Sequence, residues 1–285
     1  MIEIGQYNTL KIDRDTSVGL YLTDGKEDVL LPNKYVPRRF EIGDELAVFV
    51  YLDHEERLTA TTLKPYITLN DFAYLRVSYI NKFGAFVDWG LEKDLFVPFK
   101  EQARPMEKGK RYLIHLYLDE KSKRLVGSSR ISRFLDNETL NVEQDEEVDL
   151  IVSHITYMGI NVIINGRHKG LLYKDEVYQD LRTGDRLKGY IKSVRPDNKI
   201  DVSLQKAGVE SIEPNAEKIL EELKESRGFL RLNDNSHPED IKTVLKMSKK
   251  AFKKAIGSLY KQKLIEIKED GIYLIKTNSI LPLIK

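Results

Sequence analysis

Several residue types and patterns are missing from this chain of 285 residues, and each absence narrows what the protein can do. It has no cysteine, which excludes disulfides and thiolate catalysis and fits a reducing compartment. No stretch approaches the about 18 consecutive apolar residues that a membrane span requires. The first residues, MIEIGQYNTL, lack the basic start and the apolar run of a signal peptide. We therefore expect a soluble, cytoplasmic protein with no membrane partner.

Patterns that carry catalysis are also missing. The sequence has no glycine-rich phosphate loop, no nucleophile-elbow motif and no His-x-x-x-His pair. Carboxylates are plentiful, but they fall mostly in turns, where Asp and Glu are common. The histidines are scattered along the chain at His54, His115, His154, His168 and His237. We therefore expect no catalytic residue, no metal site and no cofactor, and we do not expect an enzyme.

Charge is distributed unevenly, although the net charge is only +1. Residues 1–66 contain 8 basic and 12 acidic side chains, whereas residues 210–285 contain 15 basic and 12 acidic ones. Between Ile241 and Ile265 there are eight lysines and no acidic residue. A local excess of positive charge attracts polyanions, so this segment is a candidate for contact with nucleic acid.

One pattern of glycines and apolar segments occurs three times. A glycine lies inside an apolar segment in SVGLYL, KFGAFV and YMGINV, and a second glycine follows 24 or 25 residues later. The first set is Gly19, Gly84 and Gly159, and the second set is Gly43, Gly109 and Gly184. A closing strand is predicted 15 or 16 residues after the second glycine. Five short strands in each repeat of roughly 60–75 residues predict a small closed barrel, which leaves no strand edge exposed.

The pattern changes after Gln205. Apolar residues at helical spacing predict a helix over 213–228. Ser236 and Glu239 have the spacing of a capping box, which predicts the start of a second helix. Ser248 predicts the start of a third helix.

A short strand and a hairpin complete the C-terminal part. The segment FLRL, 229–232, is a strand candidate, and the third helix is predicted over 249–263. The segment LIEIKEDGIYLI, 264–275, predicts a hairpin with its turn at Glu269, Asp270 and Gly271. Helix, strand, helix, helix and hairpin is the order of a winged-helix domain.

The repeats resemble the S1 domain, an RNA-binding module with the OB fold. Residues 64–102 and 249–265 are similar to the central module and the third wing helix of the CvfB/YitL-like family of bacterial RNA-binding proteins. Its members carry three S1 units and a C-terminal winged helix. The expected fold class is mainly β with a C-terminal α+β module. The predicted domains are three five-stranded barrels at 1–64, 65–134 and 145–208, and a winged helix at 213–285.

The resemblance also implies a function. Members of the family bind RNA and influence the expression of other genes, including virulence factors. In S1 domains the two phenylalanines of the KFGAFV motif belong to the binding face, so Phe83 and Phe86 are predicted to stack on RNA bases, with Lys82 beside them. Trp89 fits either a stacking surface or a cover over the end of the barrel.

The other two repeats depart from this motif. The first repeat has Val18 and Tyr21 in place of the phenylalanines and is acidic, so we expect it to be architectural. The third repeat has Met158 and Asn161 in these positions. It offers other aromatic and basic side chains as candidate RNA contacts, namely His154, Tyr157, His168, Lys169, Tyr190, Lys192 and Arg195.

The third helix of the C-terminal domain has one cationic face. At about 100° per residue, its lysines lie on one side of a helical wheel and its apolar residues on the other. The predicted RNA contacts on this face are Lys249, Lys250, Lys253, Lys254 and Lys261. Solvated helix faces normally carry interspersed glutamates, and this face has none, so an anionic partner would relieve the repulsion between its lysines.

Single-stranded or loop RNA is the predicted partner, and two alternatives remain open. A winged helix can also insert into the major groove of DNA as a transcriptional regulator, but lysine reads bases less well than Arg, Asn or Gln. The barrels could instead bind protein, for example as an interaction scaffold on the ribosome.

Overall fold

A computed structural model describes residues 1–53, 55, 57–177, 179–206 and 214–275. The chain divides into two compact units, one formed by 1–174 with 181–203 and the other by 175–180 with the residues from 204 onward. His54 and the predicted boundary between the third barrel and the winged helix lie outside the described residues. Within the described residues, no helix is long and apolar enough to cross a membrane.

Fifteen strands of the first unit form three successive five-stranded modules. The first has β1 (Tyr7–Thr16), β2 (Gly19–Thr23), β3 (Asp28–Pro32), β4 (Glu45–Leu52) and β5 (Leu58–Thr61). The second has β6 (Phe72–Asn81), β7 (Gly84–Asp88), β8 (Leu95–Pro98), β9 (Arg111–Leu118) and β10 (Leu125–Ser128). The third has β11 (Glu147–Ile155), β12 (Gly159–Ile164), β13 (His168–Tyr173), β14 (Arg186–Val194) and β15 (Ile200–Ser203). The fifth strand of each module begins at the position that the repeat predicts.

The three modules share one antiparallel topology but close in two ways. In the first and third, a parallel pairing between the third and fifth strands completes a barrel. In the second, β8 and β10 are the two edges of the hydrogen-bonded sheet. Gly127 of β10 lies against Leu95 and Val97 of β8, so apolar side chains fill the seam. The prediction of five strands is confirmed, and the second barrel closes by packing because the fifth strand makes no ladder with the third.

The first glycine of each repeat allows two strands to approach closely. Gly19, Gly84 and Gly159 each begin the second strand of their module. A Cβ atom at these positions would lie 2.1, 2.4 and 2.6 Å from the carbonyl oxygens of Leu31, Val97 and Leu172, respectively. The second glycine set instead provides a backbone conformation, because Gly43, Gly109 and Gly184 all have left-handed φ angles, of 102°, 81° and 95°. The repeat in the sequence is therefore a repeat of backbone constraints.

Replacing Gly84 by alanine is expected to destabilise the second barrel by about 1–3 kcal/mol, because the added methyl group forces β7 and β8 apart. Urea unfolding, followed by the fluorescence of Trp89, measures the change. Gly257→Ala is the matched control, since no heavy atom lies within 4 Å of the carbon it adds. Alanine favours a helix over glycine by about 1 kcal/mol, so this control should not lose stability. A Gly84→Ala protein as stable as the unchanged one would contradict the steric explanation.

Apolar contacts join the three modules into a continuous body. Phe49 of the first module packs edge-on against Trp89 of the second, with ring centroids 5.8 Å apart. Phe72 of the second module is buried in one cluster with Ile151 and Ile163 of the third. These contacts position the surfaces of neighbouring modules relative to one another.

The second unit contains the helices and a small sheet in the predicted order. The elements are α1 (Pro214–Glu225), β16 (Phe229–Leu230), α2 (Pro238–Leu245), α3 (Lys249–Lys261), β17 (Ile265–Lys268) and β18 (Gly271–Leu274). Ser248 caps α3 as predicted, since its side chain accepts a hydrogen bond from the Ala251 backbone N–H at 3.2 Å. The predicted cap of α2 is wrong. His237 occupies that position, because the hydroxyl of Ser236 accepts from the backbone N–H of Asn233 in the preceding turn.

Candidate nucleic-acid interface

Three aromatic rings lie side by side on the second barrel. Tyr79 of β6, Phe86 of β7 and Phe96 of β8 are successive cross-strand neighbours. The Tyr79 and Phe86 rings are nearly parallel, at 8°, with centroids 4.4 Å apart, and Phe86 and Phe96 are 5.0 Å apart. We call these three residues the aromatic row. Phe83, in the turn before β7, is 61% exposed beside it, and the ammonium of Lys82 lies 5.1 Å from the Phe83 ring centroid.

A bulge in β6 brings Tyr79 opposite Phe86. The register shifts between Val77 and Tyr79, which leaves Ser78 as an extra residue. The alternation of side chains along β7 therefore does not decide where Phe83 and Phe86 point. Phe83 precedes β7, and the bulge lies on its partner strand, β6. Both predicted phenylalanines reach the surface, since Phe83 is exposed and Phe86 is half-buried.

The same bulge occurs in the other two barrels with different side chains. In the first barrel it sets Arg14 opposite Tyr21, with the guanidinium carbon 4.2 Å from the ring centroid. In the third barrel it sets His154 opposite Asn161. The second barrel alone pairs two aromatic rings at this position. Tyr79 and Phe96 were missed from the sequence because only the register reveals them.

A cavity of about 410 Å³ adjoins the aromatic row. Phe83, Phe86 and Phe96 line one part of it, together with Trp89 and the exposed Arg124. Mostly apolar cavities with a few polar groups are typical of ligand sites, which measure about 300–1,000 Å³. Arg124 is a third residue that the sequence interpretation missed, since it precedes β10 and is far from the KFGAFV motif.

Trp89 is buried against Phe49 of the first barrel and offers no exposed stacking surface. Its indole N–H donates a hydrogen bond to the Lys93 carbonyl oxygen at 2.6 Å. Lys93 in turn donates from Nζ to the Asp53 carbonyl oxygen at 2.8 Å, and burial lowers the pKa of this lysine. Burial also raises the pKa of the neighbouring Asp94 carboxyl. Of the two alternatives for Trp89, the stacking surface is therefore excluded.

The predicted contacts on the third barrel fall into exposed and engaged side chains. His154, Lys169 and Lys192 are exposed, and Tyr157 is 88% exposed. Tyr190 is half-buried, and its hydroxyl donates to the Glu147 carboxylate at 3.2 Å, which raises the Tyr190 pKa. The ammonium of Lys192 lies over the ring of Tyr173, 5.7 Å from its centroid.

Two of the predicted contacts on the third barrel are engaged by other residues of the chain. His168 is fully buried, with its ring nitrogens against the carbonyl oxygen of Asp136 and the side-chain amide oxygen of Asn141. The prediction that His168 reaches RNA is wrong, because the segment before β11 covers it. Arg195 donates two hydrogen bonds to Asp201, at 2.7 and 2.8 Å, which raise its pKa. Its guanidinium is therefore already engaged by a carboxylate.

The lysine face of α3 is present as predicted. Lys250, Lys253, Lys254 and Lys261 are exposed, while Lys249 is half-buried, with Nζ 3.4 Å from the Asn235 carbonyl oxygen. Within the described part of the chain, Lys250, Lys253 and Lys261 form no ion pair with a carboxylate. The buried residues of the helix are Phe252, Ala255, Ile256 and Leu259. The cationic side of α3 therefore faces away from the core of its domain.

Sequence comparison assigns the chain to a family. The CvfB-like winged helix domain matches residues 217–274, and the S1 domain matches residues 4–63. YitL of Bacillus subtilis is 30% identical over 266 residues, which cover 90% of this chain and 89% of YitL. The chain belongs to the CvfB/YitL-like family. The family and the fold class predicted from the sequence are both confirmed.

Two further proteins are similar to this chain over most of its length. Conserved virulence factor B of Staphylococcus epidermidis is 28% identical over 244 residues, which cover 83% of this chain and 82% of that protein. A solved structure from Streptococcus pneumoniae, described as a multidomain protein with nucleic acid binding domains, is 27% identical. The aligned part covers 95% of this chain and 98% of the Streptococcus pneumoniae protein, with a TM-score of 0.41. S1 and winged-helix domains are nucleic-acid-binding types, so nucleic acid is the partner class of this family member.

Proposed function

We propose that this protein binds single-stranded or loop RNA, catalyses no reaction and acts in post-transcriptional regulation of gene expression. The aromatic row is the observation that carries the proposal. Each base stacked on an aromatic side chain contributes about 1–3 kcal/mol, and stacking tolerates any base because every base has a flat face. The row extends across three strands, and Phe83 adds an exposed ring beside it.

Stacking on these rings favours an unpaired strand over a duplex. In a duplex the faces of the bases are covered by their neighbours, whereas single strands and loops can splay their bases onto a protein surface. The lysines of α3 suit phosphates better than base edges, because an ammonium is a compact point charge with no fixed donor pattern. Duplex DNA and a ribosomal protein are the competing partners. The relative named Conserved virulence factor B supports a role in the expression of virulence factors.

Replacing both Phe83 and Phe86 by alanine is expected to weaken binding of a 12-nucleotide RNA about 10- to 100-fold, because the exposed stacking surface of Phe83 and the central ring of the aromatic row are lost. Trp89 lines the adjoining cavity and is the one tryptophan in the chain, so its fluorescence reports the titration directly. Phe86→Leu separates stacking from packing, since leucine preserves apolar bulk without a flat ring. Urea unfolding of each variant checks that the barrel remains folded.

The matched control for this experiment is Val18→Ala with Tyr21→Ala. These residues hold the equivalent positions of the acidic first barrel, and the double change should alter RNA affinity less than twofold. Competition with duplex DNA of the same sequence tests the alternative partner. The proposal is wrong if the phenylalanine variants bind RNA as the unchanged protein does, or if duplex DNA displaces RNA at equal concentration.

A further inference from the structure

Two arginines lie directly opposite each other on the second barrel. Arg76 of β6 and Arg111 of β9 are cross-strand partners, and both are exposed. Directly opposed residues of an antiparallel pair project from the same face of the sheet, and like charges in this arrangement are destabilising. The pair therefore carries a repulsion that an anion placed between the two side chains would relieve.

The carboxylate nearest to this pair forms no ion pair with it in the described part of the chain. Asp88 of β7 lies opposite Arg76 on its other side, but its Oδ1 accepts a hydrogen bond from the Gly90 backbone N–H at 3.0 Å. Among the described residues, no ion pair joins Asp88 to either arginine, and Arg111 donates only to the Tyr74 carbonyl oxygen, at 3.2 Å. The guanidinium groups thus retain donors for a ligand.

The arginines open onto a groove between the second and third barrels. Two pockets, of about 440 and 360 Å³, share Tyr74, Arg111 and Thr183. The larger pocket contains Arg76, Asp88, Asp185 and Arg186, and Arg186 is paired with Asp71 at 2.9 Å. We call the two pockets together the inter-barrel groove.

The smaller pocket is cationic and contains no carboxylate among its described lining residues. Arg104, Arg111 and His154 line it, and Arg104 lies over the ring of Tyr112, 5.5 Å from its centroid. The hydroxyl of Thr183 adds a neutral donor to the lining, whereas the hydroxyls of Ser129 and Ser153 donate to the carbonyl oxygens of Glu101 and Asn161, at 3.5 and 3.0 Å. Two guanidinium groups beside a hydroxyl donor fit a phosphate group, which presents several acceptor oxygens at once.

The turn glycine of the third barrel fixes this groove. Gly184 packs against the Tyr74 ring with a left-handed φ of 95°, and a Cβ atom at this position would lie 2.4 Å from Tyr74 Cβ. The close approach holds Thr183 beside Arg111, so one wall comes from each barrel. The groove is therefore set by the packing of two folded modules.

We infer that the inter-barrel groove binds the phosphodiester backbone of single-stranded nucleic acid, with Arg76, Arg104 and Arg111 as the phosphate contacts. Arginine suits this role because its planar guanidinium offers paired donors to phosphate oxygens. The inference rests on the proposed function, since the same strand is the ligand. It assigns phosphate contacts to a surface that the sequence motifs did not indicate, except for His154.

The double variant Arg104→Gln/Arg111→Gln tests the groove. Each phosphate contact to a single strand contributes about 0.7 to the slope of log affinity against log salt, so the slope should become shallower by about 1.4. The same relation gives about 25-fold weaker RNA binding at 0.1 M salt. For single-stranded DNA of the same sequence, the salt slope should become shallower by the same amount, because the DNA has the same phosphates.

Three further arms make the result specific. Arg38→Gln/Arg39→Gln removes the same charge from an exposed loop of the first barrel and should leave the slope unchanged. Arg104→Lys/Arg111→Lys preserves the charge and should restore most of the slope, which separates charge from folding. If the groove binds the phosphodiester backbone, uridine monophosphate at equal phosphate concentration should not displace the oligonucleotide. Displacement would instead assign the groove to free nucleotides.

Failure of the groove and failure of RNA binding give different results. If the glutamine variant retains the unchanged slope while RNA still alters Trp89 fluorescence, the groove is excluded and the aromatic row remains. If the unchanged protein binds no single strand at all, both proposals are wrong.

Discussion

Replacing Lys250, Lys253 and Lys261 by glutamine is expected to weaken RNA binding about 100-fold at 0.1 M salt and to reduce the salt slope by about 2. These three ammonium groups are exposed on one face of α3 and form no ion pair within the described residues. Each is therefore available to displace a counterion from a phosphate. Affinity measured by fluorescence anisotropy from 50 to 300 mM salt gives both quantities.

The control for this prediction removes the same charge from the same domain. Lys218, Lys224 and Arg231 are exposed and lie outside α3. Their replacement by glutamine changes the net charge of the domain equally, so any effect of overall charge appears in both variants. If both triple variants lose the same slope, attraction by net charge explains the binding and the face of α3 has no specific role.

Lowering the pH from 7 to 4.5 is expected to destabilise the second barrel through one buried histidine. His115 is 4% exposed, with its ring 4.5 Å from the Phe72 ring and 4.0 Å from the Phe134 ring. Its Nδ1 has no hydrogen-bond partner among the described residues. Burial lowers the pKa of His115 from 6.5 to about 4. In the folded protein His115 therefore binds a proton only at a lower pH than it does in the unfolded chain.

The sign and the pH range follow from this difference in pKa. Between about pH 6.5 and 4 the unfolded chain binds more protons than the folded one, so the free energy of unfolding falls as the pH falls. The stabilisation is fully present above pH 6.5 and is lost towards pH 4. This difference in pKa corresponds to a loss of at most about 3 kcal/mol in the free energy of unfolding.

The His115→Leu variant isolates this contribution. Leucine is close to histidine in volume and takes up no proton, so the difference in unfolding free energy between pH 7 and pH 4.5 should shrink by about 2–3 kcal/mol. Urea unfolding at the two pH values measures it. His154→Leu, which changes an exposed histidine, is the matched control and should leave the difference as it is. An equal loss at pH 4.5 in the unchanged protein and in His115→Leu would exclude His115 as the cause.

The fold was predictable because its constraints are local and repeated. Gly84 and its two counterparts mark close backbone approaches, and Gly109 and its counterparts mark left-handed turns, so their spacing locates the strands. The lysine and apolar faces of α3 follow from helical periodicity alone. Closure of the second barrel was not predictable in detail, because it depends on side chains of β8 filling a seam with β10.

The candidate site was predictable only where a motif carries it. Phe83 and Phe86 came from the KFGAFV segment, whereas Tyr79 depends on a bulge that shifts the register of β6. His168 is predicted as an RNA contact because the third repeat lacks the phenylalanines and offers aromatic and basic side chains instead. A segment more than 25 residues earlier in the chain covers it, through Asp136 and Asn141. Contacts of this kind join distant parts of the chain and leave no local pattern.

The shared bulge separates binding chemistry from folding in these barrels. One irregular step in the first strand of each barrel presents a pair of side chains outside the core, and the three pairs are a cation with a ring, two rings, and an imidazole with an amide. The glycines and the buried alternation hold the strands in place, and the three barrels share one strand order although these two positions differ among them. Duplicated copies of one architecture can in this way diverge in what they recognise while remaining equally able to fold.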